Sequence, residues 1–269
     1  MVTSASNPTI KLARSLHRRR MRYRERALLI EGRRAIDTAI EHGARVRALL
    51  LDASRVHEHP APSQLLDAAD RVLHVDRGLF LETADTESPQ PVIAIATMPQ
   101  SAPPVDCSLV LAVDGVRDPG NVGTLIRSAA AAGIDAVALL PGTVDPTNLK
   151  VVRSSAGAIY AIPLVPVEDI RQIVERLFRY ETQVIVAEAG SDTSYDSVDW
   201  RMPSILVVGN EGAGVGETTR TFATAEVSIP MAEGIDSLNA AVSGSILLFE
   251  ATRQRRVDRT FPRMYAENA

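Results

Sequence analysis

The sequence predicts an α/β protein built from two unequal units. Three observations carry the prediction. After residue 107, short apolar runs alternate with helix-patterned segments, and the runs lack the polar alternation of a half-exposed strand. Strands that are apolar on both faces belong to a parallel sheet covered by helices. PQSAPPVD (99–106) then places three prolines in eight residues, the composition of a semi-rigid linker. Charge is also unevenly spread. Residues 1–34 carry ten Lys or Arg against two Glu, so a chain of net charge −4 is +8 there and −12 elsewhere. A basic arm on an acidic protein suits a polyanion, and a solvated basic helix would have the same composition.

In the first unit, residues 1–98, the spacing predicts a basic helix over 8–25, opened by Asn7-Pro8. LLIEG (28–32) reads as a strand. RRAIDTAIEHG has apolar residues at 35, 36, 39 and 40 and a glycine stop at 43, the signature of a helix. A strand (46–52), the helix PSQLLDAAD, the strand RVLHVD, the helix RGLFLETAD and the strand PVIAIATM (91–98) follow. The linker is 99–106, and the second unit is 107–269. Its strands are expected at 109–116, 136–142, 183–189, 204–210 and 226–230, and its helices at about 121–132, 147–158, 168–180 and 237–255.

Composition excludes several function classes. No apolar run approaches the ~20 residues of a membrane span, and the N-terminus lacks a signal-peptide core, so the cytoplasm is expected. Cys107 is the single cysteine, which leaves no internal disulfide and no cysteine-based zinc cluster. All five histidines (17, 42, 57, 59 and 74) precede residue 107, so the second unit cannot by itself run a histidine triad or a histidine-ligated metal site. No metal is expected, and His57-Glu58-His59 reads as a solvated loop.

In parallel sheets, ligands bind outside the carboxyl ends of the strands. Three strand-end segments stand out: DGVRDPGNVGTLIRSAAAAG (114–133), VVGNEGAGVGE (207–217) and IPMAEGIDSLNAAVSG (229–244). The second is glycine-rich, which lets backbone approach a ligand closely. It is neither a Walker loop, because no Lys-Ser/Thr follows, nor a G-x-G-x-x-G dinucleotide fingerprint. In the first, Asn121 taken alone fits a helix N-cap, and Arg127 taken alone fits a surface position. In the third, Ser237, Asn239, Ala240, Ala241, Ser243, Gly244 and Ser245 open a helix with residues too small to fill a core.

Together these segments resemble the motifs of the SpoU/TrmH family of S-adenosylmethionine-dependent RNA ribose 2′-O-methyltransferases. They stand in family order as DPGNVGTLIRSA, VVGNEGAGV and IPMAEGIDSLNAAVS, and the likeness covers residues 107–256. The first unit more loosely resembles the small ribosomal-protein-like substrate-binding domain that often precedes this catalytic domain. The resemblance implies a deep trefoil knot, in which small side chains at 237–245 would let the last helix pass close to its neighbours. A helix simply packed on a neighbour through its small face has the same composition. The family is commonly dimeric through the knotted domain, which implies a homodimer.

The same likeness assigns Val208, Gly209, Gly212, Ile229, Met231, Ser237 and Leu238 to the pocket for S-adenosylmethionine, held largely by backbone. It assigns Asn121, Arg127, Glu211, Ser237 and Asn239 to the reaction site. Arg127 is the family's proposed aid to deprotonating the ribose hydroxyl. Arginine titrates above ~12, so a cationic role beside a phosphate and a developing alkoxide is the chemical alternative. Glu211 is then either the proton acceptor or a group that orients Asn121 and Arg127. Arg18, Arg19, Arg20, Arg22, Arg24 and Arg26 are expected to bind RNA phosphates, with Tyr23 available for stacking. RQRR (253–256) either extends the basic surface or offsets the helix dipole.

Ribosomal RNA, of the 23S class, is the expected substrate, with transfer RNA the nearest alternative. Two other classes compete. A non-catalytic RNA-binding or ribosome-assembly protein is opposed by the intact set of reaction-site residues. A nucleotide-dependent oxidoreductase is opposed by the missing fingerprint.

Overall fold

The computed structural model describes residues 1–56, 62–99, 102 and 104–257. The loop carrying His57 and His59, and part of the proline-rich linker, lie outside the described residues. The chain divides into two compact units, Met1–Ser101 with Asp145–Ala161, and Ala102–Val144 with Ile162–Ala269. The first passage of the chain between the units falls after Ser101. The segment 145–161, placed by sequence within the second domain, packs instead with the first unit.

The elements of the first unit begin with α1 (Pro8–Ser15), α2 (Arg19–Glu25), β1 (Ala27–Glu31), α3 (Arg33–Glu41) and β2 (Val46–Asp52). Next come α4 (Ser63–Asp67), β3 (Val72–Val75), α5 (Arg77–Leu81) and β4 (Val92–Thr97). The sheet order is β1-β4-β2-β3, antiparallel except for the β2–β3 pair. One basic helix over 8–25 is expected, and two are found. Asn7 caps α1 by accepting the N–H groups of Thr9 and Ile10. Ile10, Ala13 and Leu16 are fully buried on its inner face. The chain then breaks at extended Arg18, without glycine or proline. The break is stabilised from beneath: Arg22 Nη1 donates to the carbonyls of Leu16 (3.2 Å) and His17 (3.0 Å). Those carbonyls would otherwise lack helical partners.

The second unit holds β5 (Leu109–Asp114), α6 (Pro119–Ala132) and β6 (Ala136–Leu139). Between β6 and the next strand of this unit, the chain supplies α7 (Leu149–Ser154) and a 3-10 turn (Ala158–Tyr160) to the first unit. Leu149 sits in the first unit's core with Leu29, Phe80 and Ile93. Gly157, at φ +89°, passes so close to α3 that an added Cβ would lie 2.5 Å from the Ala35 carbonyl oxygen. Only glycine combines that conformation with that approach.

The second unit continues with β7 (Leu164–Pro166), α8 (Ile170–Leu177), β8 (Gln183–Ala187) and β9 (Ser204–Gly209). It ends with α9 (Glu217–Arg220), β10 (Ala225–Val227) and α10 (Ala240–Val257). Its six strands run in the order β10-β8-β9-β5-β6-β7, and every pairing is parallel. All six residues of β5 are buried, as expected of a strand covered on both faces.

The small residues of α10 now have a packing reason. Ala241 is buried, and Gly244 lies where a Cβ would come within 2.5 Å of Leu125 on α6 and 3.0 Å of Val208 on β9. Ser245 and Ser128 join α10 to α6 through their hydroxyls at 2.6 Å.

At the far end of α10, Arg255 of RQRR is drawn inward, while Arg253 and Arg256 are exposed. Arg253 pairs with Glu250 at 2.8 Å. Arg255 enters a nest of acceptors, donating to the carbonyls of Trp200 (2.7 Å), Ser108 (2.8 Å) and Met202 (2.8 Å) and to the Ser108 hydroxyl (2.9 Å). Burial pulls its guanidinium down to about 10, against the opposing pull of Asp135 and Asp199, so it stays cationic at neutral pH. Among the described residues, no helix is long and apolar enough to cross a membrane.

Candidate active site

The carboxyl ends of β5, β9 and β10 carry the three unusual segments. Asp118, not Asn121, caps α6: its Oδ1 accepts the Asn121 N–H at 2.9 Å, and Pro119 occupies the first turn. The Asn121 side chain is thereby released from capping. Its Nδ2 donates to Glu211 Oε1 at 2.5 Å, and its Oδ1 accepts from Asn239 Nδ2 at 2.9 Å. Asn239 Oδ1 in turn accepts the N–H groups of Ala241 (2.9 Å) and Val242 (3.2 Å) at the start of α10.

The direction of this chain is set by chemistry. A backbone N–H only donates, so Asn239 must turn its oxygen to α10 and its NH2 to Asn121. Asn121 must then present its oxygen to Asn239 and its NH2 to Glu211. Glu211 Oε1 receives the end of the relay, which leaves Oε2 uncommitted to it. The structure thus brings together three of the expected residues, Asn121, Glu211 and Asn239.

It does not bring the others into hydrogen-bond contact with them. Arg127 is exposed on α6 and makes no ion pair with the described residues. Ser237 is exposed, and Leu238 is 38% exposed. Ile229 and Met231 are half-buried, and every residue from 232 to 239 is exposed. Val208 is buried beneath Gly244, so only its backbone is open to a pocket role. Gly209 has no room for a side chain, because an added Cβ would meet the Gly214 carbonyl carbon at 2.5 Å. The Gly212 N–H is already given to Asn210 Oδ1 at 3.0 Å.

Two residues of this region escape sequence patterns. Asp114 Oδ2 accepts the Gly216 N–H at 2.9 Å, and Asn210 Nδ2 donates to the Gly115 carbonyl at 3.0 Å. Their only signals are a carboxylate ending an apolar strand and an amide beside Glu211. Among the described residues, no cluster of three or more His, Cys, Asp or Glu could hold a metal.

The basic arm needs one correction. Arg22 is 4% exposed and fully engaged: Nη2 meets Asp145 at 3.0 Å and Nε meets the Thr147 hydroxyl at 3.0 Å, besides the two carbonyls of the helix break. It is a structural arginine, unavailable to phosphate. Arg19 pairs with Asp145 at 3.3 Å and lies over the Tyr23 ring at 5.4 Å, while Arg24 pairs with Glu25 at 2.8 Å. Arg18, Arg20 and Arg26 are exposed. Tyr23 donates its hydroxyl to Asp145 at 2.9 Å, and burial followed by that carboxylate raises its pKa. Burial alone would raise Asp145, but hydrogen bonds from Thr147, Tyr23 and Arg22 outweigh it and hold the carboxyl below its ordinary range.

Comparison with known proteins identifies the family. Residues 108–249 match the SpoU rRNA Methylase family, and residues 7–94 match the MRM3-like substrate binding domain. The chain is 32% identical over 249 residues to the 23S rRNA (guanosine(2553)-2′-O)-methyltransferase RlmP of Bacillus subtilis, covering 92% of this chain and 97% of that protein. It is 33% identical over 255 residues to a 23S rRNA (uridine(2479)-2′-O)-methyltransferase of Streptomyces viridochromogenes, covering 91% and 89%. The crystal structure of the SpoU methyltransferase AviRb from Streptomyces viridochromogenes, in complex with AdoMet, superposes with a TM-score of 0.80 at 30% identity. It covers 93% of this chain and 98% of that one. With the motif-bearing strand ends, the relay between them and a substrate-binding domain ahead of them, the chain belongs to the SpoU rRNA methylase family.

Proposed function

We propose that this protein transfers a methyl group from S-adenosylmethionine to a ribose 2′-hydroxyl of ribosomal RNA, the 23S class being favoured by its relatives. The observation that carries the reading is the one-way amide relay from α10 through Asn239 and Asn121 to Glu211. It fixes a carboxylate at the strand ends with one oxygen held and the other open.

The residues present fit the adenosyl group. Val208, Gly209 and Gly212 supply backbone with little side-chain bulk, and Ile229, Met231 and Leu238 supply apolar cover beside Ser237. Bound S-adenosylmethionine supplies an electrophilic methyl group on a sulfonium, so the protein's task is to position and deprotonate. Glu211 Oε2 takes the 2′-hydroxyl proton. Arg127 holds the neighbouring phosphate and stabilises the developing alkoxide. Arg18, Arg20 and Arg26, with Arg19 and Tyr23, grip the RNA, giving affinity without naming the base.

Three further features belong to this reading. A trefoil knot in the second unit is supported by family membership and by α10 returning over α6 and β9. A homodimer through the same unit is supported by Val242 and Phe249, 46% and 45% exposed and seven residues apart on α10. The cytoplasm follows from the substrate.

Methyl transfer from labelled S-adenosylmethionine to unmodified ribosomal and transfer RNA tests the function. Label recovered in an alkali-resistant dinucleotide supports it and identifies the RNA class. Asn121→Ala and Arg127→Ala should each abolish that label. Glu211→Gln keeps an acceptor for Asn121 but no base, and should lose about 100-fold in kcat. A wild-type protein that binds donor but methylates neither RNA, including assembly intermediates, would overturn the proposal.

A further inference from the structure

The loop between β9 and α9 is tied to the end of β5 at both of its feet. At the first foot, Asn210 Nδ2 reaches the Gly115 carbonyl at 3.0 Å. At the second, the Gly216 N–H reaches Asp114 Oδ2 at 2.9 Å, and Asp114 is only 9% exposed. The two ties extend the β5–β9 ladder beyond its last paired residues, Asp114 and Gly209.

Between the feet the loop closes on itself. Asn210 and Gly214 exchange both backbone hydrogen bonds at 2.9 Å. Asn210 Oδ1 also accepts the N–H groups of Gly212 (3.0 Å) and Ala213 (3.1 Å). Gly209 lets this ring fold back onto the strand end. The opposite segment, residues 232–239, is exposed throughout and is tied across to α6 at its last residue, where Asn239 donates to Asn121.

Resting on the methyltransferase reading above, we infer that Asp114 and Asn210 are positioning residues for the methyl donor. They hold one wall of its pocket, and Glu211 with it, in the bound conformation before the donor arrives. Ordering a loop at the moment of binding weakens affinity, and prior bracing removes that cost. On this reading the braces act on the donor through the loop backbone, so donor affinity should depend on them and RNA affinity should not.

The test is donor and RNA affinity measured separately on the full-length protein. S-adenosylhomocysteine binding is read by titration calorimetry, RNA binding by filter retention, and folding by melting temperature. Asp114→Ala should weaken S-adenosylhomocysteine binding at least tenfold and leave RNA binding within twofold. Asp114→Asn should recover most of the loss, because its amide oxygen can still accept from Gly216. Asn210→Asp keeps the acceptor for Gly212 and Ala213 but sets an oxygen against the Gly115 carbonyl, and should weaken donor binding as Asp114→Ala does. If Asp114→Ala fails to fold, Asp114→Asn against Asn210→Asp decides.

Donor affinity within twofold of wild type in the folded brace-breaking variants overturns the inference. So does a loss shared equally by Asp114→Asn, or one that weakens RNA binding in parallel. A wild-type protein that binds no donor at all is a different result. It overturns the underlying reading and this inference with it.

Discussion

Removing the Arg22 guanidinium should destabilise the first unit without weakening RNA binding directly. Arg22 makes four hydrogen bonds, to the Asp145 carboxylate, the Thr147 hydroxyl and the two carbonyls at the break between α1 and α2. Breaking a buried ion pair by deleting one partner costs about 3–5 kcal/mol. Asp145 would keep Thr147, Tyr23 and Arg19, so Arg22→Ala should fall at the low end, about 3 kcal/mol.

Arg22→Lys should recover little, because a single ammonium cannot serve donors spread across a planar fork. The chain's single tryptophan, Trp200, lies in the second unit and is fully buried, so its fluorescence reports on that unit. Far-ultraviolet circular dichroism in urea should show an early transition in Arg22→Ala that Trp200 does not follow. Amide exchange should accelerate across 149–160. A stability loss below about 1 kcal/mol, with RNA binding weakened as much as in Arg20→Ala, would refute the reasoning and return Arg22 to the phosphate-binding set.

Three other outcomes follow from the same structure. Asp145 has its pKa lowered in the folded chain, so its contribution is present above the unfolded value of about 3.9 and is lost as pH falls through the lower folded value; Asp145→Asn should flatten the acid limb of the first unit's stability in pH-dependent urea melts. Cys107 is pushed up to about 12 by burial, then by Asp135 and Asp106, so iodoacetamide at pH 8 should label denatured but not native protein, as read by mass spectrometry. Asn239→Ala removes both the cap of α10 and the donor to Asn121. It should cost about 1 kcal/mol in thermal unfolding and reduce kcat at saturating donor by well over that stability loss.

What was legible in the sequence was set by physical signals of unequal strength. β5 and β9 are continuous apolar runs buried on both faces, and nothing else at that length competes. β7 is three residues ending in proline at the edge of the sheet, too short to carry a period. The break between α1 and α2 occurs at Leu16-His17-Arg18 with no helix breaker, because a buried side chain from the next helix satisfies the freed carbonyls.

In the site, it is the family resemblance of the three segments that implies Asn121, Glu211 and Asn239. It does not reveal that Asp118 takes the capping role and so frees Asn121, although Asp before Pro at a helix start is the pattern for it. Charge counting could not separate Arg22 from Arg20. The two differ only in which way the second helix turns, and that depends on an aspartate more than a hundred residues away. The braces at Asp114 and Asn210 were invisible because each is one polar residue among many.

The detour of residues 145–161 bears on how such a protein can be taken apart. The polypeptide passes from one unit to the other at three points rather than one: after Ser101, after Val144 and after Ala161. A gene cut at the proline-rich segment therefore does not excise a whole module. The released N-terminal piece would lack Leu149 from its core, the glycine that lies against α3 and the carboxylate that neutralises Arg22. Transplanting the substrate-binding module of this chain has to carry two separate stretches of coding sequence.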